Sequence, residues 1–498
     1  MKRQVLLTST LLLAAGMFAQ TPAGNAFHID YDEFQSSNAL KHLDAGNNAV
    51  LNPGDQLTAM CWIQLRDIGD NQKILGKFNL DNTGYILAVD QGKVYAEVWN
   101  PTHYDPLNGL MNPTAQYWYH IAMTYTRGVA LKSYINGVEV GSTVVSNAPI
   151  STSNNRLIIG VSSWMELGSF QTFGNLDEIA LYNVALTPDQ IKAQMFKGID
   201  GSEAGLIAGY NFDAPIGNTA ADLSGNGNTA VGSATFTGTE WAESKAPLAD
   251  DNTATASDLN AIWKGKSLTG PWFTSTTNGL NLTATAMDTT DYAVFGHNEG
   301  IGVTANDIPT NAPADFMRTE RVWPLTNLGD ASMSMVMNLN AAAGGGTVLD
   351  LTQPAWNYAL LWRPAGASGF VAVANGSSFM NGVVTFTAQM PNSGEYAIGV
   401  GSAITQPIGI EEHVNVAAFK IAPNPNQGVF AVSMERAIKG AANLQVMDAA
   451  GRIVHQEAIR SSGVAGRVHM DLGSVAKGIY LVKLSAGGSV QHQRIVVE

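Results

Sequence analysis

At 498 residues the chain is too long for one ordinary hydrophobic core, and about three or four domains are expected. Residues 21–414 hold 16 Lys and Arg against 36 Asp and Glu, a net of −20, while residues 415–498 hold 9 against 5, a net of +4. An acidic body argues against nucleic acid and anionic membranes as partners, and one cysteine, Cys61, excludes internal disulfides, so stability has to come from burial.

The chain opens with Lys2 and Arg3, an apolar stretch from Val5 to Ala15, then small residues up to Ala19. This predicts a secretory signal peptide over 1–19, hence an exported, extracellular or cell-surface protein that passes through the periplasm. No later stretch supplies the roughly 18 uncharged apolar residues of a membrane-spanning helix, so an integral membrane protein is not expected.

Beyond the leader, short alternating segments recur between Gly, Asn, Asp and Pro. The fold class expected is all-β and multi-domain: a jelly roll sandwich over 24–240, a second β-sandwich over 259–404, and a small Ig-like sandwich over 417–498. The polar stretch 241–258 reads as a linker. The acids of "DYDE", Asp30, Asp32 and Glu33, read as solvated near the mature N-terminus.

In the first module, Cys61 lies in step with Leu57, Ala59, Ile63 and Leu65, which predicts an inward packing residue. Further on, "YINGVEV" predicts a two-residue hairpin at Asn136-Gly137, because both residues tolerate the positive φ of a type I′ turn. The one good helix is 187–196. Thr187 is its N-cap, Pro188 its first residue, and Gly198 follows its end.

Five blocks, "LTAMCWIQL", "WYHIAMTYTRGVALKSYINGVEVGS", "RLIIG", "GNLDEIALYNVALTPDQIKAQM" and "GLIAGYNFD…DLSGNGN", resemble the laminin G-like, concanavalin A-like jelly roll domain. The last block often opens such domains and here closes one. The resemblance implies two antiparallel sheets and a binding role toward carbohydrate or protein, often with calcium.

The loop "DLSGNGN" (222–228) raises its own question. A phosphate cradle needs a following helix and a Lys, and neither is near. An EF-hand needs a Glu at position twelve, where Ser233 stands. Two readings stay open. One is a turn in which Asp222 and Asn226 bond local backbone amides. The other is a partial calcium site with Asp222 and Asn226 as candidate ligands, completed by residues far off in sequence. Asp177, at the start of the strand in "GNLDEIALYN", poses the same choice between capping loop amides and holding calcium. Calcium is the one cofactor the sequence suggests.

Ligand binding is expected where aromatics meet polar loops. Trp99, His103, Tyr104 and Asp105 lie in one Pro- and Asn-rich stretch, and Trp164 in another. An aromatic face suits the CH groups of a sugar, while amides and carboxylates suit its hydroxyls. The same rings could simply close the sandwich edge.

The second module, with "YAVFGHN", "RTERVWPL" and "GEYAIG", is similar to a sandwich common in secreted bacterial proteins. That resemblance names no activity. The last module, with "PNP", "DAAGR" and "KGIYLVKL" in order, resembles the type A C-terminal sorting domain of the type IX secretion system. It implies the type IX machinery as a partner. The sequence carries no G-x-S-x-G, H-E-x-x-H or E-x-D-x-x-E, and no catalytic residue is assigned. Three functions follow: a non-catalytic surface protein binding a glycan or surface protein, a polysaccharide-acting hydrolase or accessory, or a structural surface component.

Overall fold

The computed structural model describes residues 23–497 except 31–39, 68–70, 80–81, 105–106, 110, 112–116, 163–170, 216, 234–235, 237–238, 250–255, 267–273, 285–286, 330, 390–391, 403–418, 425, 435–440, 449–451, 461–466, 474 and 487–488. The predicted leader 1–19, Asp105 and Trp164 therefore lie outside the described residues. The chain divides into two compact units, 1–406 and 407–498. It is all-β, as its alternation requires.

Among the described residues, seventeen strands and one α-helix build the first sandwich: β1 Asn25–Ile29, β2 Leu43–Asp44, β3 Gln56–Leu65, β4 Gln72–Asn79, β5 Thr83–Asp90, β6 Lys93–Trp99, β7 His103–Tyr104, β8 Leu107–Asn108, β9 Tyr119–Thr126, β10 Ala130–Ile135, β11 Val138–Val144, β12 Ile158–Ile159, β13 Gly174–Tyr182, α1 Pro188–Lys197, β14 Leu206–Tyr210, β15 Thr219–Ala220, β16 Ala230–Gly232 and β17 Trp241–Glu243. Sheet one runs β11-β10-β9-β3-β13-β1-β17, with β14 also on β13. Sheet two runs β15-β16-β2-β12-β4-β5-β6-β7, with β8 also on β6. Alternate residues of both sheets meet in one core, including Leu57, Cys61, Ile63, Leu87, Val98 and Ile121.

Local chemistry sets these elements. Asn136 and Gly137 take φ of 52° and 74°, which joins Ile135 to Val138 across the hairpin. Thr187 accepts from the Gln190 amide, and Gln190 returns a bond to the Thr187 amide, closing a capping box before Pro188. Cys61 is fully buried.

The second sandwich pairs an eight-stranded sheet with a five-stranded one. Its own core holds Phe295, Trp323, Leu325, Met335, Phe386 and Ile398. The first two sandwiches also share a cluster, in which Trp62, Trp118, Met195 and Phe196 pack with Ala246, Leu248, Leu259, Trp263 and Val294. The stretch 241–258, expected to be a linker, is thus partly structural. Trp241–Glu243 pairs with β1, and Ala246, Leu248 and Ala249 are buried. A few small apolar residues among polar ones hide a covering role, because their partner is the outer face of a sheet, not their own strand.

The described residues of the C-terminal unit form a sandwich of seven strands. Three strands, Phe419–Ala422, Val429–Met434 and Arg467–Asp471, face four others, Ile453–Arg460, Ala441–Met447, Gly478–Ala486 and Ser489–Val497. Phe430, Val446, Val482 and Leu484 form its centre.

Candidate ligand-binding face

The outer face of sheet one is occupied across its middle. Trp62 lies edge-on to Trp263 at 5.7 Å and donates its indole N–H to Met195 O at 2.7 Å. The outer face of sheet two carries the aromatic residues that sequence reasoning picked out.

Register places three cross-strand rows there. Phe78, Gly84, Trp99 and His103 pair in succession across β4 to β7. Gly76, Ile86 and Glu97 form the next row, and Lys73, Ala88 and Tyr95 the third. The middle strand β5 supplies small residues in the outer two rows. Gly84 stands at φ +89°, and a Cβ there would meet Lys77 O at 1.8 Å, so the position needs glycine. Without a side chain between them, Phe78 and Trp99 stack at 6.1 Å. In the same way Lys73 Nζ reaches across Ala88 to sit 4.1 Å from the Tyr95 ring.

His103 stacks on the far side of the row, 3.9 Å from Trp99 with 3° between the ring planes. One oxygen fixes both rings. Glu97 Oε1 accepts the Trp99 indole N–H at 3.1 Å and lies 2.9 Å from His103 Nε2. The Glu97 side chain is 6% exposed and that of His103 34%. The stack thus runs from a buried phenylalanine to a ring open to solvent. Trp99 is the filling of this stack, and the imidazole is its outer ring.

Tyr104 does not join it. Its ring packs against the main core, and its hydroxyl accepts from the Ser146 amide at 2.9 Å. Phe78, Glu97, Tyr95 and Lys73 were missed by sequence reasoning. The signal was present: Tyr95, Glu97 and Trp99 recur at every second position of β6, the mark of one sheet face.

The candidate calcium residues fall in two places. Asp222 accepts from three backbone amides, Gly209 at 3.1 Å, Ser224 at 3.0 Å and Asn228 at 2.9 Å. Asn226 donates to Ile207 O at 3.2 Å. Asp177 lies elsewhere, buried, accepting from Ser244 Oγ at 2.6 Å and the Glu178 amide at 2.8 Å. Burial, then the neighbouring Glu178, push its carboxyl well above the usual range. Among the described residues, no three His, Cys, Asp or Glu side chains group to hold a metal.

Residues 37–192 match the family model of the concanavalin A-like lectin/glucanases superfamily. They form a concanavalin A-like domain. Residues 420–498 match the secretion system C-terminal sorting domain. Among the described residues, no helix is long and apolar enough to cross a membrane.

None of the curated proteins matches the chain. Solved structures do. A putative carbohydrate binding protein from Bacteroides ovatus is 22% identical, with 39% of this chain and 58% of that one covered and a TM-score of 0.30. The chain therefore spans little more than half of that protein. The heptameric SAP-like pentraxin of Limulus polyphemus is 16% identical over 35% of this chain and 83% of that one, TM-score 0.28. Domain 4 of an extracellular arabinanase from Geobacillus stearothermophilus, solved with arabinotriose, is 23% identical over 28% and 66%, TM-score 0.22.

Proposed function

We propose that this is an exported, non-catalytic binding protein that holds a carbohydrate chain on the outer face of sheet two, beside the Phe78–Trp99–His103 stack. Its signal peptide and the type IX sorting domain deliver it to the cell surface or beyond. The observation that carries the reading is the double anchoring of Trp99 and His103 on one Glu97 oxygen. A stacked ring pair held rigid from below loses little entropy on meeting a ligand. It offers a flat ring to sugar CH groups and a polar edge to hydroxyls.

A retaining hydrolase would need two carboxyls about 5 Å apart beside its substrate. The buried neighbours Asp177 and Glu178 are fastened instead to Ser244 and to the amide of Ile199. The test is a glycan array probed with the mature full-length chain, with and without a calcium chelator. Binding that falls at least tenfold in His103→Ala and Trp99→Ala supports the site, whereas unchanged binding in both removes it. Sensitivity to the chelator would restore calcium to the account.

A further inference from the structure

The second sandwich carries a surface that the sheet-two reading does not use. Residues 350–357 form a loop that ends in the short turn Ala355–Asn357, and Trp356 stands 64% exposed on that turn. No other Phe, Tyr or Trp among the described residues is so exposed. Leu351 in the same loop is exposed too, as is Met380 on the adjoining strand Ser378–Met380.

The backbone beneath the indole is fixed on both sides. Tyr358, a core residue of this sandwich, donates its hydroxyl to Asp350 O at 2.6 Å. The Asp350 carboxylate accepts from the Thr352 amide at 2.8 Å, the Thr352 hydroxyl at 2.7 Å and Gln353 Nε2 at 2.8 Å. Gln353 Oε1 accepts from Asn357 Nδ2 at 2.9 Å, and Trp356 O accepts from Asn375 Nδ2 at 3.0 Å. A Cβ on Gly376 would meet Ala355 O at 2.4 Å, so a glycine there is what lets the turn lie close against the sheet.

A lone exposed apolar residue is ordinary. This one differs in what surrounds it. A large ring left in water forgoes the stabilisation of burial, and ordering the polar side chains of its loop carries an entropy cost. A cavity of about 260 Å³ adjoins the same loop. Asp350 and Gln353 line it together with Asp315, Thr347, Met317 and Val400. It has room for one sugar ring, with apolar wall for CH groups and carboxylates and an amide for hydroxyls. Two carboxylates in the lining disfavour an anionic chain.

We infer that the second sandwich has a sugar site of its own, which takes a neutral polysaccharide. One unit stacks on Trp356, and Asp350, Gln353 and Asn357 bond the hydroxyls of that unit and its neighbour. Because the loop is already ordered, little entropy is lost on binding. The inference is independent of the sheet-two site and would stand if that site failed.

The test is fluorine NMR of the mature full-length chain labelled with fluorotryptophan, the Trp356 line being identified by its loss in Trp356→Phe. Hexasaccharides of β-linked glucose, xylose and mannose are the probes, and hexagalacturonate is the charged control. At least one neutral probe should shift the Trp356 line in a saturable way, and the control should not. Gln353→Ala should weaken that binding at least fivefold, with a melting curve confirming that the variant folds. His103→Ala should leave the shift as it is, so that failure of the sheet-two site and failure of this one are read on different residues. A Trp356 line that no neutral probe moves, an equal shift with hexagalacturonate, full affinity in Gln353→Ala, or a shift that vanishes in His103→Ala would each overturn the assignment.

Discussion

The indole N–H of Trp263, in the second sandwich, donates to the main-chain carbonyl of Trp118, in the first, at 3.0 Å. Around that bond Trp263 meets Trp62 at 5.7 Å and Phe196 at 6.0 Å. The Asn136 side chain of the β10–β11 hairpin adds bonds to Gly265 O and Lys266 O. Two cores are therefore fastened by a third cluster. Trp263→Ala removes a large buried ring, a loss of about 3–5 kcal/mol. The expected outcome in calorimetry is a lower melting temperature, with the single transition of the first two sandwiches splitting in two. An unchanged single transition would show that the cluster does not couple them.

His120 sits in the same seam, edge-on to Trp62 at 5.4 Å. Its Nδ1 is buried with no hydrogen-bond partner among the described residues. Burial pulls its pKa down from 6.5 to about 3. A histidine that stays neutral when folded but takes a proton when unfolded favours unfolding in acid. Its contribution is complete above pH about 6.5 and is lost as pH falls toward 3, at about 1.4 kcal/mol per pH unit. Asp177 and Glu178, raised by burial, act with the opposite sign. The readout is therefore the difference between wild type and His120→Phe in urea midpoints from pH 7 to 4. His120→Phe should lose less stability on acidification.

Lys77 is fully buried at one end of the first sandwich. Its Nζ donates to Ser153 O at 2.9 Å, to Asn47 Oδ1 and to Asn155 O. Three oxygens around one nitrogen call for the three N–H groups of an ammonium. Lys77→Met keeps the length and removes every donor. Buried acceptors left unpaired cost about 1–3 kcal/mol each, so chemical denaturation should show a loss of at least about 2 kcal/mol. Equal stability would mean that water replaces the ammonium.

Glu97→Gln keeps the shape of the anchor below the aromatic stack and removes its charge. The amide oxygen still accepts from Trp99, but the bond to the His103 ring loses its ionic character, which makes charged hydrogen bonds the stronger class. Glycan affinity should fall several-fold while the melting temperature changes little. An equal fall in both would mark Glu97 as a fold residue only.

Much of the fold was legible without coordinates, because it rests on local rules. Asn136-Gly137 turned a hairpin, Thr187 and Pro188 opened a helix, and Cys61 went inward with its strand. The tail's seven strands followed their alternation. Each of these is fixed by a residue's own φ preference or by a period of two along one strand.

Tertiary structure alone decided which faces stay open. Trp62 and Trp99 look alike in sequence, each one step out of phase with an inward stripe. One is roofed by Trp263, some 200 residues later, and the other is pinned between Phe78 and His103. Tyr104, next to His103, turned inward because adjacent strand residues point to opposite sides. Alternation separates the two sides of a sheet but carries no information about what will lie against the outer one. That is settled by contacts between residues far apart in the chain, as in the row that joins His28, Asn175 and Gln64.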